Sequence, residues 1–132
     1  MTRSLIAVLL AGVSLSGGRV HAHHSFAATY VENQQTSIEG DLVQFVYRNS
    51  HALLQITAPD AKGQMQRWTV EWEGRGQLDH EGVTGMTLKV GDHVVITGNP
   101  GRNTDDHWLR AQTIARPKDG WKWTFGGAAS MR

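Results

Sequence analysis

The 132-residue chain contains no cysteine. That single absence excludes disulfides, thiolate zinc sites, iron–sulfur clusters and cysteine nucleophiles. Any metal must be held by imidazole, carboxylate, carbonyl or a terminal amine. No charge sign dominates either, with 13 Lys+Arg against 12 Asp+Glu. No Gly-x-Gly-x-x-Gly or phosphate loop is present, no internal repeat, and no visible Ser/His/Asp arrangement. The length suits one domain and is too short for a barrel enzyme or a doubly wound nucleotide fold with a second domain. With 39% hydrophobic residues and no low-complexity tract, a compact globule is expected.

The chain also lacks an apolar run long enough to span a bilayer. Ser4 to Leu15 is apolar apart from Gly12 and Ser14, about 12 residues where a spanning helix needs ~20. Arg3 precedes this run, and Ser16-Gly17-Gly18-Arg19 and the small-x-small sequence Val20-His21-Ala22 follow it. The pattern predicts a secretory signal peptide cut after Ala22. Cleavage removes Arg3 and Arg19 and no acid, leaving 11 bases against 12 acids. No basic footprint for nucleic acid and no polybasic membrane patch survives. A thiol-free, exported chain fits a bacterial periplasm, with no integral membrane segment after cleavage.

Beyond the leader the pattern is that of strands. Ile38, Leu42 and Phe45 to Tyr47 lie in a long segment broken by Gly40, which predicts a bend or bulge there. Ala52, Leu54 and Ile56 alternate with His51, Leu53 and Gln55, directing the first set to a core and His51 to the other face. Trp68, Val70 and Trp72 alternate with Thr69, Glu71 and Glu73 in a third strand. Gly76 to Gly85 has room for a short helix. Val94 and Ile96 mark a fourth strand, and Trp108 to Ala115 a fifth. Three strands, a helix and two strands is the order of a five-stranded OB-fold barrel, an all-β fold. A small open β-sandwich or roll is the runner-up, since alternation does not set closure. The expected organisation is a leader over 1–22, an N-terminal segment over 23–35, the barrel over 36–120 and a fraying tail over 121–132.

Four segments carry a family resemblance: His23-His24-Ser25-Phe26-Ala27, Asn49-Ser50-His51-Ala52, Trp68-Thr69-Val70-Glu71 and Leu88-Lys89-Val90-Gly91-Asp92-His93-Val94. In this order and behind a signal peptide, they resemble an uncharacterised family of exported bacterial proteins, domain of unknown function 6152. The resemblance runs from His23 to about Gly120. It implies a periplasmic, barrel-like domain and no particular activity. The chain departs from the family pattern at Ser50, where the pattern has proline, at Leu53, where it has tryptophan, and in a shorter loop after Glu73. These changes bear on the surface beside His51.

Cleavage after Ala22 makes His23 the first residue. Its α-amine and ring Nδ1 then chelate one metal together, and His24 or a folded-in histidine supplies a third nitrogen, His51 being the first choice. Such nitrogen ligands suit Cu²⁺. The three-residue amino-terminal copper motif, which needs histidine third, fails here because Ser25 holds that place. His80, His93 and His107 sit in polar loops and are expected to be exposed.

Catalytic constellations are thin. Glu71 and Glu73 share a strand face, about 7 Å apart at ~3.3 Å per residue, and are expected to be solvated. A binding or accessory domain is therefore expected rather than an enzyme, with a periplasmic partner or a small ligand and no nucleic acid. Trp68 and Trp72 are assigned to the core. Trp108, Trp121 and Trp123 offer an alternative to the metal: an aromatic surface on which a small ligand or glycan stacks.

Overall fold

The computed structural model describes residues 26–127 and 129–131. The leader, its cleavage position, His23 and His24 lie outside the described residues. A one-turn helix α1 (Phe26–Thr29) leads into β1 (Thr36–Val46), β2 (Leu53–Pro59) and β3 (Met65–Glu71). Helix α2 (Arg75–His80) follows, then β4 (His93–Pro100), a 3-10 turn (Thr104–Asp106), β5 (Trp108–Arg116), β6 (Trp121–Thr124) and β7 (Ser130–Met131).

Each barrel strand forms because its apolar residues recur at every second position, so that one face can leave water. Ala52, Leu54, Ile56 and Ala58 are completely buried. Trp68 and Val70 of β3, with Trp72 just beyond it, share this core. Strands run in the order β3-β2-β1-β4-β5, and parallel pairing of Thr69–Glu71 with Trp108–Arg110 joins β3 back to β5. The sheet is thus a closed five-stranded barrel in OB-fold order, not an open sandwich or roll.

Two irregularities let the strands coil. In β1 the register shifts between Leu42 and Gln44, so the bulge lies a little beyond Gly40. Gly40 serves a different purpose: a Cβ there would press into the Thr57 carbonyl and come within 2.9 Å of the Ala58 Cβ. The second shift falls opposite Thr97/Gly98 and displaces Gln112, whose amide donates to Asn99 Oδ1 at 2.9 Å.

The segment expected as a tail is part of the sheet. β5 shares one edge between two partners, β3 along Trp108–Arg110 and β6 along Thr113–Arg116. β6 places Trp121 and Trp123 inward and Lys122 and Thr124 outward. Trp123 stands edge-on to Trp72 with ring centroids 5.3 Å apart, and its indole N–H donates to Glu81 at 2.5 Å. Leu78 of α2 and Val83 complete this end of the core. Among the described residues no helix is long and apolar enough to cross a membrane.

Candidate functional site

The outer surface where β2 leaves the β1–β2 loop brings three distant parts of the chain together. Ala52 exchanges backbone hydrogen bonds with the β3 end, its N–H reaching Glu73 at 3.0 Å and its carbonyl receiving Trp72 N–H at 2.9 Å. Ala52 points into the core, so the neighbouring His51 turns outward beside Glu71, as the alternation predicts. Nδ1 of His51 lies 2.5 Å from Glu71 Oε1. A carboxylate only accepts, so Nδ1 is the donor in this contact, and in the neutral form of the ring Nε2 is the nitrogen with the lone pair. The other Glu71 oxygen, Oε2, accepts from the Tyr30 hydroxyl at 2.5 Å.

Glu71 is therefore not a solvated surface acid: its side chain keeps 15% exposure and both of its oxygens are engaged. Burial, the hydrogen bond to Glu71 and that residue's charge push the Tyr30 phenol far above its ordinary range, so it acts as a fixed donor. Glu73 sits partly buried, and burial raises its carboxyl above the usual range despite the nearby Arg110. The Glu71 charge acts on Glu73 in the same upward direction.

Helix α1 docks on this surface through one ring. Phe26 lies 5.4 Å from the His51 ring, centroid to centroid, and carries the Arg110 guanidinium 3.3 Å from its own centroid. Arg110 is in place because it pairs with Glu71 in the β3–β5 register. The chain thus enters the fold beside His51, and His24 is only two residues upstream of Phe26. A shallow cleft of about 410 Å³ opens here, with Arg48, Asn49, Ser50 and Trp108 on its walls.

The remaining histidines are dispersed. His80 is exposed at the end of α2. His93 is exposed on the barrel wall with both ring nitrogens taken, Nδ1 by Asp41 at 2.8 Å and Nε2 by Glu39 at 2.9 Å. Those bonds hold its ring above the usual histidine range. His107 departs from expectation: it is half-buried, with a left-handed backbone (φ 51°), and packs edge-on to Trp68 at 5.1 Å. Among the described residues no three His, Asp or Glu side chains are grouped to hold a metal.

The expected aromatic surface is not formed as a set. Trp121 is 5% exposed and Trp123 fully buried, so neither offers a face to a ligand. Trp108 alone of the three remains accessible, at 37%. Tyr30, which completes the Glu71 contacts, carries no local signal, because its partner lies 41 residues away.

The solved structure of the mitochondrial single-stranded DNA-binding protein Rim1 from S. cerevisiae is similar to this chain, with a TM-score of 0.44 at 14% identity. The match covers 61% of this chain and 91% of that one. No curated protein matches the sequence. The model of a family of unknown function, DUF6152, matches residues 11–110, and this protein belongs to that family.

Proposed function

We propose that this protein is an exported binding domain, not an enzyme, whose processed N-terminus holds a divalent metal, copper foremost, against His51. The observation that carries the reading is the Glu71–His51 contact. A metal-binding imidazole characteristically gives its second nitrogen to a carboxylate, which sets the tautomer and raises the basicity of the nitrogen facing the metal. Glu71 does this for Nδ1, and Tyr30 secures Glu71 from behind.

Two further facts support it. Phe26 anchors the chain beside the His51 ring, and an extended residue spans at most ~3.6 Å, which keeps His24 within about 7 Å of the Phe26 backbone. Cleavage after Ala22 would add the α-amine and ring of His23, giving an all-nitrogen set with His51 Nε2 and His24. The Irving–Williams order ranks copper above nickel and zinc for such ligands.

The test begins with the intact mass of the exported protein, expected to match a chain starting at His23. Calorimetric titration with Cu²⁺ then compares that protein with one extended by Gly-Ser-Gly-Ser before His23 and with His51→Ala. Both variants are expected to bind at least tenfold more weakly. Equal affinity in the native and extended forms rules the proposal out.

A further inference from the structure

A second cleft, about 590 Å³, lies at the end away from Trp123, between the β2–β3 hairpin and the β4–β5 loop. Ile38 and Trp68 line it beside His107, and Trp108 forms one wall. This is ample volume for a small ligand, and its apolar lining joins Trp68 and Trp108 to Ile38, Pro59, Ala61 and Pro100.

The polar groups around that surface are mostly neutral. Thr36, Ser37, Gln64, Gln66, Asn103 and Thr104 all border the cleft. Of the acids, Asp60 is committed to its own turn. Its Oδ1 accepts from the Lys62 and Gln64 backbone N–H groups at 2.9 and 3.0 Å, and Oδ2 from the Gln66 amide at 3.2 Å. Asp105 is exposed, and Lys62 supplies a compensating charge. An ionic ligand would find no concentrated opposite charge here. A ligand with a flat apolar face and hydroxyls around its edge matches both sets of groups.

From this pairing of an exposed tryptophan with neutral amides and hydroxyls, we infer that the cleft binds a neutral oligosaccharide, one sugar ring resting on Trp108. The ring's C–H face stacks on the indole while its hydroxyls exchange hydrogen bonds with Gln64, Gln66 and Asn103. Trp108 also borders the His51 cleft, so a chain of several sugars continues across it in that direction. The inference does not rest on a metal at His51, because Gln64, Gln66 and Asn103 do not border the His51 cleft.

The experiment is calorimetric titration of the protein, in the form in which it accumulates in producing cells, with cellotetraose, maltotetraose and chitotetraose, with and without a chelator. One of the three is expected to bind saturably, with the same affinity in both conditions. Trp108→Ala is expected to lower that affinity by ~tenfold or more, as removal of an aromatic platform does. Gln64→Ala, on an exposed hairpin position, is expected to lower it a few-fold with the fold intact by circular dichroism. Absence of saturable binding to all three, full binding by a folded Trp108→Ala protein, or tighter binding of single-stranded oligothymidine would each overturn the inference.

Discussion

Glu71 accepts a hydrogen bond from Nδ1 of His51 at 2.5 Å, which fixes the ring on the barrel wall. The pair is held from two sides, by the Tyr30 hydroxyl on Glu71 and the Phe26 ring beside His51. Glu71→Gln keeps the shape and removes the charge that orients the imidazole. Copper affinity is expected to fall 10–100-fold, the usual effect of losing such a partner, while the urea midpoint moves little. Tyr30→Phe leaves one Glu71 oxygen unpaired in a half-buried place and is expected to cost about 1–3 kcal/mol of stability. Unchanged copper titration in Glu71→Gln would separate this carboxylate from any metal role.

The close approach at Gly40 makes a sharper claim about the fold. An alanine Cβ would meet the Thr57 carbonyl and the Ala58 side chain, and both are backbone-fixed parts of β2. Gly40→Ala is expected to lose at least about 2 kcal/mol by urea unfolding, the range for overpacking a tight core. A loss below about 0.5 kcal/mol would mean that β1 and β2 have room between them.

The tryptophans divide by burial. Trp123→Ala opens a large void beneath Trp72 and strands Glu81 without its donor, with an expected cost of about 3–5 kcal/mol. Trp108→Ala, at a partly exposed site, is expected to change stability by no more than about 1 kcal/mol. Chemical denaturation of the two variants side by side checks the contrast; equal losses would contradict the assigned positions.

A pH effect follows from His93. Its hydrogen bonds to Glu39, then Asp41, raise its pKa in the folded state above the unfolded value of about 6.5. The stabilisation is therefore complete below about pH 6.5 and is lost as pH rises through the elevated folded value. His93→Gln is expected to destabilise at about pH 5.5 and to be nearly silent at about pH 9. With about half of the His93 side chain open to solvent, at 52% exposure, screening keeps the effect small. An NMR titration of the His93 ring is expected to show a midpoint above that of a free histidine; a lower midpoint would refute the pairing.

Most of the barrel was legible along the chain. The alternation of Ala52, Leu54 and Ile56, and of Trp68, Val70 and Trp72, describes strands whose inner faces leave water together, and that period acts within a few residues. Trp121 and Trp123 obey the same period, but two tryptophans in a four-residue strand behind the turn Pro117–Gly120 give too short a run to distinguish from a frayed end.

The sequence alone determined where the five barrel strands run and, for the second and third, which residues face inward, since local hydrophobic periodicity is enough for that. It also placed His51 outward and put two histidines just ahead of Phe26. Tertiary structure decided barrel closure, because parallel pairing of Thr69–Glu71 with Trp108–Arg110 joins segments whose separation no local pattern encodes. The same closure assembled Tyr30, Glu71, His51 and Arg110 on one surface and turned Trp123 inward while leaving Trp108 at the rim. Hydrogen bonds and ring contacts act over a few ångströms of space, so their partners are chosen by the register of the closed sheet and not by distance along the chain.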